Sequence, residues 1–244
     1  MKYGIISDIH SNFEALDKVL NSMGKVDEII CLGDIIGYGA SPNDCIKKIK
    51  DINCRCIAGN HDLGVINKLD IRFFNHEAGE VIQWTAKKLL KENIHYLENL
   101  KEEIYLKENV FAVHGSPGII KWDYVDNNHT AAKIFKNYIF HIFFIGHSHK
   151  AGCFVLEKER GRVDYIDLSF GGHIFFSENK RYIINCGSIG QPRDGNSRAS
   201  YGIYNSETEE IIVKRIKYPI FLAQRKILEA GLPKIFAYRL KIGR

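Results

Sequence analysis

Nine residues of this 244-residue chain could do metal chemistry together: Asp8, His10, Asp34, Asn60, His61, Asp62, His114, His147 and His149. Neutral imidazole, carboxylate and amide oxygen form a borderline-hard ligand set. It suits Mn²⁺, Fe²⁺, Zn²⁺, Ni²⁺ or Co²⁺ better than soft Cu⁺. In Asp8-Ile9-His10 and His147-Ser148-His149, alternation along extended backbone puts two ligands on one side, so each short loop grips at two points. Any one of these pieces alone reads as a polar turn. Five of them, each closing a strand-like stretch, are hard to obtain as structural filler. The run Ile29-Ile30-Cys31-Leu32 ending on Gly33-Asp34 shows the pattern best: a buried parallel strand delivering one carboxylate to the rim of a sheet.

These residues need elements to carry them. Residues 3–7 read as a short strand. Phe13, Leu16, Val19, Leu20 and Met23 recur at helical spacing, with Ser11 or Asn12 as the cap. Residues 28–32 are a second strand, and Ser41-Pro42 opens a helix to about Lys50. Residues 53–58 are a third strand. Alternating strands and helices imply a parallel sheet with right-handed crossovers, in which polar chemistry gathers at the carboxyl ends of the strands. Residues 76–98 are expected to be helical, 103–113 extended, 129–140 helical, and Ile142–Ile145 a strand running into Gly146-His147. Residues 152–215 read as short strands between turns, a mostly antiparallel second sheet. Residues 219–240 read as helix broken at Gly231-Leu232-Pro233. The expected fold is α/β: a four-layer αββα sandwich of two mixed β-sheets packed face to face, in a single domain spanning 1–244.

The composition is ordinary globular, 45% hydrophobic and 26% charged, enough for a sizeable core without crosslinks. The N-terminus lacks the pattern of a secretory signal. The longest apolar-looking stretch, Tyr138 to Gly146, is broken by His141 and is short of the roughly 20 residues that span a bilayer. The expectation is a cytoplasmic protein with no membrane association. Six cysteines, mostly in apolar runs, then read as buried free thiols, with a redox or metal role for Cys54-x-Cys56 left open. Residues 211–244 carry nine Lys/Arg against Glu229, a local +8, whereas residues 1–210 carry 25 against 28. Such a tail can attract phosphates or nucleic acid. The simpler reading is a solvated helix face, and no aromatic-interleaved basic groove favours nucleic acid.

The full motif set resembles the calcineurin-like metallophosphoesterases: Asp8-Ile9-His10, Gly33-Asp34, Gly59-Asn60-His61-Asp62, His114, and Gly146-His147-Ser148-His149. The resemblance implies a phosphoric ester hydrolase with a dinuclear metal centre. Asp8, His10, Asp34 and His149 would hold one ion, and Asp34, Asn60, His114 and His147 the other, so that Asp34 bridges. It implies two divalent transition-metal ions, Mn²⁺ first, with Fe, Zn, Ni or Co as alternatives. A metal-bridging hydroxide would attack phosphorus in line, with His61 beside the leaving oxygen and Asp62 orienting His61. No protein nucleophile is required, and no Ser–His–Asp arrangement stands out.

Cys186–Gly195 resembles the Gly-Ser-x-Gly-Gln-Pro-Arg stretch of a subgroup of small microbial phosphoesterases. Arg193 could fork onto a substrate phosphate or make a structural salt bridge. Asn12 could touch phosphate or cap its helix. Trp122 and Tyr124 could stack a base or pack in the core. His76, His95, His129, His141 and His173 read as surface or locally bonded. Phosphoprotein-directed members carry an arginine soon after Gly-Asp and a glutamate after Gly-Asn-His, where this chain has Gly37-Tyr38-Gly39 and Asp62. The expected reaction is therefore hydrolysis of a phosphodiester or phosphoanhydride in a small phosphorylated substrate, nucleotide-like ones included. The alternatives are a phosphomonoesterase or protein phosphatase, an inactive metal-binding scaffold, and a nuclease.

Overall fold

Alternation of apolar side chains sets the layers. In a computed structural model that describes residues 1–118 and 122–244, Ile5 faces one hydrophobic cluster and Ile6 another, and Ile30 and Cys31 divide the same way. Strands buried on both faces need a layer on each side. β1 (Lys2–Ile6), β2 (Glu28–Cys31) and β3 (Arg55–Cys56) run parallel, connected by α1 (Phe13–Met23) and α2 (Pro42–Asp51). α3 (Asn60–Val65), α4 (His76–Lys88) and α5 (Lys91–Glu98) follow.

The second sheet begins with β4 (Glu103–Lys107) and β5 (Val110–Val113). After α6 (Asn128–Asn137) come β6 (Ile142–Ile145), β7 (Gly152–Glu157), β8 (Arg162–Asp167), β9 (Gly172–Phe175), β10 (Lys180–Asn185), β11 (Ala199–Asn205) and β12 (Glu210–Ile216). α7 (Ile220–Glu229) and α8 (Lys234–Ile242) end the chain. The sheets order as β3-β2-β1-β11-β12-β9 and β4-β5-β6-β10-β7-β8. Both are mixed: β5, β6 and β10 are parallel neighbours, and β11 lies antiparallel to β1. Ile5, Ile30 and Leu32 of the first sheet meet Ile142, Phe144 and Ile184 of the second in the central core. α1, α2, α4, α7 and α8 cover the outer face of the first sheet, and α6 covers that of the second. Burying each large apolar side chain here contributes about 1.5–3 kcal/mol. The αββα sandwich is as expected.

Several local expectations are corrected. The strands of 152–215 do not form a sheet of their own: β7, β8 and β10 join one sheet, β9, β11 and β12 the other. β10 completes a parallel trio, which an alternation pattern cannot distinguish from an antiparallel strand. β3 holds two residues rather than six, because Asn53 turns with φ 49° and Ile57 makes only an isolated bridge to Lys101. The 76–98 helix breaks at Leu89-Leu90, where both residues are extended. Asn43 clasps that break: its amide donates to Lys88 O at 2.8 Å and accepts from Leu90 N at 3.0 Å. Residues 103–113 fold back at Asn109, φ 63°, as a hairpin. The last helices break where expected, at 230–233. No helix among the described residues is long and apolar enough to cross a membrane. All six cysteines are free.

Candidate metal centre

The parallel strands point their carboxyl ends at one place. Asp8 follows β1, Asp34 follows β2, His114 follows β5 and His147 follows β6, while Asn60 opens α3. The backbone there is strained. Asp8, His10, Asp34, His147 and His149 all have positive φ, between 48° and 64°. Left-handed non-glycine residues cost on the order of 1 kcal/mol or more each and persist where the surroundings enforce them. Close approach is enforced too: a Cβ on Gly59 would run into the carboxylate of Asp34, and one on Gly33 would lie 2.6 Å from Gly59 N.

Backbone carbonyls fix the imidazole tautomers. The Nδ1 atoms of His10, His114 and His149 lie 3.2, 2.7 and 2.6 Å from the carbonyls of Ile36, Leu32 and Gln191. Each Nδ1–H therefore donates outward, so each Nε2, once free of a proton, presents its lone pair inward, the usual orientation of a metal-ligating histidine. His147 is reversed, with Nε2 bonded to Trp122 O at 3.0 Å, which leaves Nδ1 to face in. Asp34 Oδ1 accepts from His61 N at 2.8 Å, while Oδ2 lies 3.5 Å from His10 Nε2 and 3.2 Å from His114 Nε2. His149 Nε2 lies 3.3 Å from Asp8 Oδ1. Two groups result, Asp8/His10/Asp34/His149 and Asp34/His114/His147, each with ligand atoms within 4.8 Å of one another. Asp34 belongs to both.

The donor set fits divalent cations. Asp8 Oδ2 and Asn60 Oδ1 are buried without a hydrogen-bond partner, a costly state for polar atoms unless an ion satisfies them, and Asp34 Oδ2 and His114 Nε2 face each other at 3.2 Å. The Nε2 atoms of His10 and His149 are 3.0 Å apart. With both Nδ1 protons committed outward, two lone pairs face each other, which a cation between them would relieve. Burial pushes His147 down to about 3 and holds His10 and His149 well below the usual histidine range, so these rings stay in the neutral, ligating form. Burial also pulls His114 down, but the charge of Asp34 outweighs it and raises His114 to about 9. Burial drives Asp8 up to about 6, whereas for Asp34 it is overcome by His114 and His61, which hold the carboxyl well below its usual range.

The other expected site residues divide. His61 is buried, its ring 4.4 Å from Tyr38, 4.8 Å from His10 and 5.1 Å from Phe74; burial lowers it to about 4. Asp62 does not orient it. The Asp62 carboxylate accepts from the backbone N–H groups of Gly59, Ile36 and Ile35 at 3.0, 3.2 and 3.3 Å, and His61 Nδ1 has no partner. The physical reason is position: Asp62 lies at the start of α3, where it caps the helix and ties it to the Asp34 loop. Asn12 caps α1 through Ala15 N, and its amide donates to Gly190 O at 2.9 Å and to the Tyr218 hydroxyl at 3.3 Å. Its polar atoms are therefore bound to protein. Arg193 bonds Gln191 Oε1 and packs over the Tyr38 ring at 5.5 Å; the neighbouring acid, Asp194, pairs with Arg215 instead. The loop before Arg193 is fastened to the site, with Gly190 N and the Ser188 hydroxyl both donating to Asp8 O.

Asp34, Asn60, His61, His147, His149 and Arg193 share a cavity of ≈ 160 Å³. Sequence reasoning missed its other walls. Tyr38, which the sequence marked only by the missing arginine, touches His10, His61 and Arg193. Phe73 and Phe74 line the cavity too, and no local pattern announces them, whereas Trp122 and Tyr124, weighed above for stacking, line the same cavity. Tyr124 stacks on His147, with centroids 4.4 Å apart at 15°. The remaining histidines are elsewhere and locally engaged or exposed, as His76 with Glu80 and His173 with Glu210.

The chain is similar to known proteins over most or all of its length. A family model described as the calcineurin-like phosphoesterase superfamily domain matches residues 1–209. The chain is 39% identical to the uncharacterised protein MJ0912 of Methanocaldococcus jannaschii, over 98% of this chain and 97% of that protein. A crystal structure of a metallophosphoesterase from Sphaerobacter thermophilus superposes with a TM-score of 0.88 at 36% identity, covering 100% of this chain and 99% of the other. A 70-residue stretch is 33% identical to a symmetrical bis(5'-nucleosyl)-tetraphosphatase of Actinobacillus pleuropneumoniae, covering 27% of this chain and 26% of that enzyme.

Proposed function

This chain belongs to the calcineurin-like phosphoesterase superfamily, and on that premise we propose that it hydrolyses a phosphodiester or phosphoanhydride bond in a small phosphorylated substrate, using two divalent transition-metal ions. The observation that carries the proposal is the set of inward-facing, unpartnered donor atoms around Asp34 Oδ2. Asp8, His10, Asp34 and His149 would hold one ion, and Asp34, Asn60, His114 and His147 the other, with Mn²⁺ the first choice of metal. Bound there, two cations would supply Lewis-acid charge beside the phosphate and make a water acidic enough to attack phosphorus near neutral pH.

The protein's own residues then have distinct tasks. Asp34 and Asp8 set the negative charge of the pocket floor. The carbonyls of Leu32, Ile36, Gln191 and Trp122 hold the imidazoles in register. Arg193, half-buried on the cavity wall, is positioned to fork onto a phosphate oxygen. His61 is neutral when the site rests, so its contribution would be an N–H that bonds the departing oxygen and stabilises the charge developing there, the proton that oxygen finally takes coming from solvent. Asn12 and Asp62 support loops in this scheme. Similarity to a bis(5'-nucleosyl)-tetraphosphatase over part of the chain supports the phosphoanhydride arm.

The test is turnover by the Mn²⁺-loaded protein on bis- and mono-p-nitrophenyl phosphate and dinucleoside polyphosphates, beside metal counting. Asp34→Asn is expected to lower stoichiometry below two and cut turnover by more than about 100-fold, since even residues behind metal ligands are worth 10–100-fold. A variant that binds two ions and turns over normally removes the assignment. Preference for the monoester over the diester would favour the phosphomonoesterase reading.

A further inference from the structure

The mouth of the cavity is aromatic, although its floor is built for charge. Phe73 is 78% exposed, on a backbone turn that is itself capped. It ends a 3-10 turn, Ile71–Phe73, capped by Asp70, whose carboxylate accepts from Arg72 N at 2.8 Å. A phenylalanine left this bare adds little core stability, and both it and the next residue border the cavity that contains Asp34 and Arg193. Phe74 meets the edge of His61 at 5.1 Å. Tyr124, half exposed and stacked flat on His147, borders the same cavity with Trp122.

The location of these rings matters as much as their number. His61, beside which the departing oxygen lies in the reading above, is ringed by Tyr38 and Phe74. His61 thus shares its side of the cavity with Phe74, and Phe73 and Tyr124 line the same cavity. Aromatic faces reward a flat ring that can stack on them, and every nucleobase has such a face. We propose that the substrate's leaving group carries a planar ring, a nucleobase in particular, held at the cavity mouth by Phe73 and Tyr124. The inference rests on the phosphoesterase reading and narrows it: Phe73 and Tyr124 are specificity residues, and neither touches the reacting phosphorus.

Adenosine 5'-monophosphate and ribose 5-phosphate differ only by the base, so they isolate its contribution. Calorimetry on the Mn²⁺-loaded full chain, with inhibition of bis-p-nitrophenyl phosphate turnover as a second readout, should find the nucleotide bound about tenfold more tightly, as one stacked base would give. Phe73→Ala should erase most of that difference by weakening the nucleotide alone; because the side chain is exposed, folding is not at stake. Tyr124→Leu should do the same, and Tyr124→Phe should restore the preference. Equal binding of the two ligands, with diester turnover intact, overturns the aromatic grip and leaves the phosphoesterase reading standing. Weakening of both ligands equally by Phe73→Ala also overturns it, as would an unchanged preference in both variants. If wild-type protein binds neither ligand and hydrolyses no diester, the phosphoesterase reading itself fails.

Discussion

At the scale of residues, the metal-free site balances its own charge. A proton on His114, held up to about 9 by Asp34 once burial is overcome, does in part what a cation would do. The sign follows directly. Below about 9 the metal-free ring is protonated, and a ligating ring must be neutral, so binding at pH 7.5 should expel one proton. Apparent Mn²⁺ affinity should rise up to about tenfold per pH unit from 7 toward 9 and then flatten. Calorimetry in buffers of different ionisation enthalpy counts the proton, and an affinity independent of pH over that range would rule the linkage out. His61→Ala should keep both metals but slow turnover about 100-fold or more on substrates with poor leaving groups, the usual worth of such a hydrogen-bonding group. An unchanged rate on those substrates would show that His61 has no part in leaving-group departure. The ligand candidates were legible because each sits in a short local string whose chemistry survives without a fold. Tyr38 and Phe73 were not legible, because what they touch is decided by helices and loops distant in sequence.

Among elements, the sequence reading located the β1, β2 and β6 strands well, since each is an apolar run followed closely by a small residue (Ser7, Gly33 or Gly146) and a polar ligand. It failed where partner choice decides the outcome. β10 looks like any other short strand, and only its position between β6 and β7 makes it parallel on one side and antiparallel on the other. The break between α4 and α5 was hidden as well, because Leu89 and Leu90 keep the apolar rhythm of a helix. The determinant is Asn43, which lies in α2 and reaches across to Lys88, Leu90 and Asn93. Asn43→Ala should therefore destabilise the protein by about 1–2 kcal/mol, as loss of a capping side chain does, with little change in metal binding. Urea denaturation measures the first and metal titration the second. A stability loss within error would mean that the break is held by packing alone.

For the whole molecule, left-handed backbone at five candidate ligands is a standing cost, and an ion that binds only the folded form should offset it. At a hundredfold excess over its dissociation constant, such an ion contributes about 2.7 kcal/mol. For a chain of this size that corresponds to roughly 5–10 °C in Tm. Scanning calorimetry with Mn²⁺ and with a chelator should show this shift, in a single transition if residues 1–244 unfold as one unit. Equal melting temperatures would mean that no ion binds the fold selectively. The basic C-terminal stretch takes part in that fold: α7 and α8 bury Ile227, Phe236 and Leu240 against the first sheet's helical layer, and Phe236 reaches Tyr38 at 4.6 Å. One further consequence concerns time. Tyr3 on β1 has Tyr204 on β11 as its lateral neighbour, a partner that leaves the ribosome about 200 residues later. Throughout that interval β1 and β2 present an open edge to the cytosol of whatever cell makes them, and open edges recruit other strands. Cells starting many copies of this chain at once should accumulate aggregates of growing polypeptide, and less frequent initiation should return more of it as folded protein.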